Sequence, residues 1–108
     1  MDYSEKHRPR EETARLVILK AWLTQTTRKW SFEWNGVPIS APIKDDLFWG
    51  QIDRREYLIG AGDALDVILT FKQVFDEQLG VYVNDPNSFV VIKVINPVPR
   101  AAQRRLDD

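Results

Sequence analysis

Tyr57-Leu-Ile-Gly60-Ala-Gly62-Asp63, the alternating run Leu65, Val67, Leu69, Phe71, then Gly80-Val-Tyr-Val83 and Phe89-Val-Val-Ile-Lys-Val-Ile95 follow one another in the second half of this protein. Each apolar run alternates or is continuously β-branched, and each is cut by Gly, Asp, Asn or Pro. Such a sequence doubles back repeatedly, and the pattern predicts an antiparallel sheet. A short strand is expected at Tyr57–Ile59, a long one from Ala64 to about Phe75, a brief one at Val81–Val83 and a closing one at Ser88–Ile95.

Upstream of that stretch the same logic holds. Arg15 to Thr24 reads as a strand with apolar residues on both faces, hence a central one. In Lys29–Trp34, Trp30, Phe32 and Trp34 alternate with Ser31 and Glu33, and Asn35-Gly36 follows at once. Both central residues of a type I′ turn need positive φ, so Asn-Gly marks a hairpin into a returning strand, Val37 to Ile43. Pro38 and Pro42 lack a donor, which puts part of that strand at an edge. Asp45 reads as an N-cap, with Leu47, Phe48 and Ile52 at helical spacing, so a short helix over residues 46–53 is expected; Gly50 weakens it by roughly 1 kcal/mol relative to Ala.

Three strands, a short helix and two or three further strands is the element order of an OB-type barrel, whose helix plugs the barrel end between the third and fourth strands. An SH3-like barrel accommodates it nearly as well. The expected class is therefore all-β with one short helix, a small antiparallel β-barrel, OB-like or SH3-like. The polar residues 1–12 are expected to be a flexible charged arm, 13–96 a single β-barrel domain and 97–108 a flexible tail, because neither end has apolar surface enough to offset its ordering entropy.

The composition narrows the function classes. The 108 residues are 44% apolar and include four Trp, five Phe and three Tyr, enough for one core. Fifteen basic and sixteen acidic side chains leave a formal net charge of −1, so no global field draws the protein onto nucleic acid or an anionic membrane. The absence of Cys removes disulfides, thiolate metal sites and Cys nucleophiles. The N-terminus has no apolar signal region, and Leu16–Leu23, broken by Lys20, is too short to span a bilayer; a soluble, cytoplasmic protein without membrane partners is expected.

Trp30-x-Phe32, Gly36, Ile39-x-Ala41-x-Ile43-x-Asp45-x-x-Phe48, Gly62-Asp63-x-Leu65-x-Val67-x-Leu69, Gln73 and Val91-x-Lys93-Val94 resemble a pattern of small β domains in uncharacterised bacterial proteins, over about residues 28–96. The resemblance implies no activity, and it implies that these residues can be one domain of a longer protein.

Chemistry is sparse. His7, the sole histidine, lies in the polar arm, where it lacks the fixed position a general base needs, and Ser31, Ser40 and Ser88 have no histidine to activate them. Asp45, Asp46 and Asp53 are better explained as helix caps and solvated charge than as a cation site. Gly60-Ala-Gly-Asp63 is followed by a strand rather than a helix, so it reads as a tight turn and not a phosphate loop. No catalytic, cofactor-binding or metal-binding residue is assigned, no cofactor is expected, and the enzyme reading is disfavoured. Trp30 and Phe32 read as core, whereas Trp22, Trp34 and Trp49, with Arg28 and Lys29, form the candidate binding surface. The leading expectation is a non-catalytic interaction module binding another protein or another domain of its parent polypeptide. The alternative is an OB-type single-stranded nucleic-acid binder stacking bases on those aromatics, and a minor one is an accessory domain of an enzyme.

Overall fold

The computed structural model describes residues 6–23 and 28–103. Among the described residues the elements run, in order, β1 (His7–Lys20), β2 (Trp30–Trp34), β3 (Val37–Ala41), α1 (Asp46–Asp53), β4 (Ala64–Asp76), β5 (Val81–Asn84) and β6 (Val90–Val98), then a 3₁₀ turn at Arg100–Gln103. The sheet runs β3-β2-β1-β4-β5, and β6 also pairs with β4. All these pairings are antiparallel.

The sheet curls because its two longest strands change partners along their length. His7–Val17 of β1 pairs with β4, and Val17, Ile18 and Lys20 pair with β2 across a register shift. Residues 64–70 of β4 take β6 as their second neighbour, and 73–76 take β5. Beyond β3, the curl meets β6 in parallel: Val91 N–H donates to Pro42 O at 3.0 Å and Lys44 N–H to Val91 O at 2.8 Å. The result is a small all-β, barrel-like fold with the helix between the third and fourth strands, as the element order predicts.

Inside the curl lie Leu16, Ile18, Trp30, Phe32, Leu65, Val67, Leu69 and Val91, all without solvent exposure. Trp30 is the hub, its ring 6.0 Å from Phe32, 6.1 Å from Phe48 and 5.9 Å from Trp49, the last two edge-on. The helix is placed by Asp45, whose Oδ1 accepts from Leu47 and Phe48 N–H at 3.1 and 3.2 Å while Oδ2 accepts from Val94 N–H at 2.8 Å. One carboxylate thus caps α1 and ties it to β6. The hairpin turn is as expected, with Asn35 at φ 52° and Gly36 at φ 80°.

Three sequence expectations are corrected. Residues 7–12 are strand, not a flexible arm: they are too polar to bury, but β4 is thirteen residues long and offers them a continuous backbone ladder. The tail expected from residue 97 is likewise built in as far as Gln103. Arg100 N–H donates to Asp63 Oδ1 at 2.7 Å, and Gln103 Nε2 donates to Gly62 O and Val98 O at 3.0 and 3.1 Å. Residues 1–5 and 104–108 of the two expected tails lie outside the described residues. Tyr57–Ile59 forms no ladder; Tyr57 and Ile59 pack against the core as irregular structure. Among the described residues, no helix is long and apolar enough to cross a membrane.

Candidate functional site

The two-residue turn sets which backbone groups of β3 point away from β2. Trp34 and Val37 flank it as a hydrogen-bonded pair, so Phe32–Ile39 and Trp30–Ala41 are bonded pairs too, and Glu33–Pro38 and Ser31–Ser40 are not. Pro38, Ser40 and Pro42 therefore direct their backbone groups off the sheet edge. Pro42 O is taken by Val91 N–H. Pro38 O, Ser40 N–H and Ser40 O have no backbone partner among the described residues, and β3 stands at the end of the strand order.

Opposite this edge the segment from Asn84 to Phe89 is held away from it by β4. Asp85 N–H donates to Lys72 O at 2.9 Å, Lys72 N–H donates to Ser88 Oγ at 2.8 Å, and Ser88 Oγ donates to Asp85 O at 2.7 Å. Asn84 Oδ1 accepts from Gln73 Nε2 at 3.0 Å. Asp85 Oδ1 accepts from Asn87 N–H at 3.0 Å, closing the turn. What remains between β3 and this turn is an open slot in the barrel wall of about 650 Å³.

Trp34, Ile39 and Phe89 give the slot an apolar lining, and Ser40, Asn84 and Asn87 add polar groups. The aromatic side is braced: Trp34 lies 5.4 Å from Phe71 and 6.0 Å from Phe89, edge-on to both, and Phe71 and Phe89 are 5.2 Å apart. Lys29 is the one charged side chain among the described lining residues.

The five sequence candidates fall in three places. Trp34 and Lys29 line the slot. Trp22 and Arg28 come together elsewhere, the guanidinium 4.4 Å from the ring centroid and Lys20 Nζ 4.7 Å from it, so cations already cover Trp22. Trp49 is not a surface residue: it is 4% exposed, and its Nε1 donates to Ile43 O at 2.9 Å. A helix seated across a barrel end has core on two sides, so Phe48 and Trp49 are both buried and Leu47, 68% exposed, is the outward residue. Sequence reading missed Ile39, Ser40, Phe89 and the Asn84–Asn87 turn as site components, although Pro38 and Pro42 did mark the free edge.

Elsewhere the chemistry is that of a stable surface. Arg15 binds Asp66 through two hydrogen bonds, 2.7 and 3.0 Å, on the outer side of β1 and β4. The hydrogen bond from Arg15, opposed by partial burial and aided by its charge and by Asn96, holds the Asp66 carboxyl below the usual range. Lys6 lowers Glu77 in the same way, by hydrogen bond and charge. No polar or charged side chain is buried, and no three His, Asp or Glu side chains converge as metal ligands, among the described residues. Comparison with protein-family models, with curated proteins and with solved structures gives no match to this protein.

Proposed function

We propose that this domain is a non-catalytic interaction module that binds an extended segment of another protein, or of another domain of its parent polypeptide, by strand addition along β3. The observation that carries the reading is the slot: unpaired backbone groups of Pro38 and Ser40 on one wall, an aromatic lining beside them, and an opposite wall fastened to β4. Backbone bonds supply affinity in this mode and side-chain pockets supply specificity. A slot this short suits a weak, micromolar partner rather than a permanent one.

The nucleic-acid alternative has less behind it. Trp22 is covered by Arg28 and Lys20, the edge-on neighbours of Trp34 are its own core rings, and a single lysine neutralises one phosphate where tight binding needs several. Titration with oligo-dT at physiological salt should give no binding tighter than about 100 μM.

The direct test is Ser40→Pro. The Ser40 N–H takes no part in the β2–β3 ladder, so proline there extends the Pro38, Pro42 series without costing the hairpin a bond. Peptides selected from a random library on the native domain should lose binding to this variant while its melting temperature stays close to native. Undiminished binding rules out strand addition at β3.

A further inference from the structure

Resting on the strand-addition reading, we propose that the segment received by β3 carries an apolar side chain beside Ile39 and, next to it in sequence, a glutamate that emerges on the other face of the sheet and pairs with Lys29.

The hairpin register sets the two faces. Trp30 and Phe32 are wholly buried in the barrel, and their partners Ala41 and Ile39 share that inner face; Ser31 and Glu33, with their partners Ser40 and Pro38, take the outer one. A strand added along β3, in whichever direction it runs, sets one residue level with Ile39 and its neighbour level with Ser40, on opposite faces. The first enters between Ile39, Trp34 and Phe89. An apolar side chain belongs there, where it extends the cluster of Trp34, Phe71 and Phe89.

The second emerges on the outer face beside Ser40, in a row that continues through Ser31 on β2 to Lys20 on β1. The two serines are short and leave the row open. Lys20 is turned to Trp22, its Nζ 4.7 Å from the ring centroid. Lys29 leads into β2 two residues before Ser31, lines the slot with it, and is held by no ion pair among the described residues. Two strand spacings, about 10 Å, separate the added strand from β2. Lysine and glutamate, extended toward one another, bridge that span, and aspartate reaches less far. Glu33 stands on the same face opposite Pro38, so an acidic side chain one row the other way is repelled. Charge complementarity thus confines the acidic position to the Ser40 row.

Selection of a random, internally displayed octapeptide library on the full-length protein should enrich an apolar residue adjacent to Glu, with Glu ahead of Asp. The same selection on Lys29→Glu should turn that position to Lys or Arg. For the selected peptide, Glu→Gln should weaken binding to the native protein about three- to fivefold, Lys29→Gln should weaken it equally, and the two changes together should weaken it no further. Lys29 is exposed, so both variants should keep the native melting temperature. Selected sequences without an acidic preference, or losses from the two changes that simply multiply, overturn the Lys29 pairing; strand addition stands in that case provided Ser40→Pro still abolishes binding. Enrichment indifferent to Ser40→Pro, or no enrichment at all, overturns both.

Discussion

The barrel and the arm beyond it share two strands and are held together by different forces. In the barrel, β1 and β4 have Leu16, Ala14, Leu65, Val67 and Leu69 turned into a core sealed by Trp30 and α1. In the arm the same strands continue as residues 7–9 and 72–76, joined by β5, with no helix or opposing sheet over them among the described residues. The same face there carries Arg8, Gln73, Asn84, Phe75 and Tyr82. Arg8 Nε donates to Gln73 Oε1 at 2.8 Å and its guanidinium sits 3.9 Å from the Tyr82 centroid, while Phe75 packs edge-on to Tyr82 at 5.3 Å. The arm also lengthens the molecule, to 49 × 36 × 19 Å with a radius of gyration of 15.6 Å, against about 13 Å for a compact domain of this size. A ladder can extend beyond a core, but without apolar burial it extends as a weaker structure.

The largest expected effect lies at the barrel end. Phe48→Ala removes a ring in contact with Trp30 and Trp49 and should cost about 3 to 5 kcal/mol in denaturant melts. A loss below roughly 1 kcal/mol would mean that α1 adds nothing to the barrel. Asp45→Ala comes next, since it removes a helix cap and leaves Val94 N–H without its acceptor; about 2 to 3 kcal/mol is expected, with Asp45→Asn recovering part of it.

The arm should respond less. Phe75→Ala, whose ring meets Tyr82 on an open face, should cost about 1 kcal/mol or less. Hydrogen exchange should show the amides of 72–76 opening well before those of 64–69 of the same strand. Uniform protection along β4 would make barrel and arm one cooperative unit and erase the distinction.

The smallest effect is at the Arg15–Asp66 pair. Because Asp66 is held below its usual range, its contribution is present at neutral pH and is lost as pH falls below about 4 through its folded value. Arg15→Gln should therefore flatten the acid side of the stability profile and leave the alkaline side alone. A change above pH 6 instead would point to some other group.

Local rules carried far in this protein because they depend on a few neighbouring atoms. Asn35-Gly36 turned the hairpin, Asp45 capped α1 at the expected residue, and the alternation of Leu65, Val67, Leu69 and Phe71 placed β4 and its buried face. Pro38 and Pro42 marked an edge strand for the same reason: a missing N–H is a property of the residue itself.

Long-range pairing decided the rest. Residues 7–12 have no apolar content to announce a strand, and become one only because β4 overruns the barrel and presents an unpaired edge. Trp22, Trp34 and Trp49 are alike in sequence, yet one is covered by cations, one braces the slot and one is inside, according to which element stands opposite. The slot itself is a property of no segment: it exists because Lys72 binds the 84–88 turn and draws it from β3. Groups thirteen and sixteen residues apart meet here only once the sheet has curled, and no local pattern of side chains records where that curl stops short of closing.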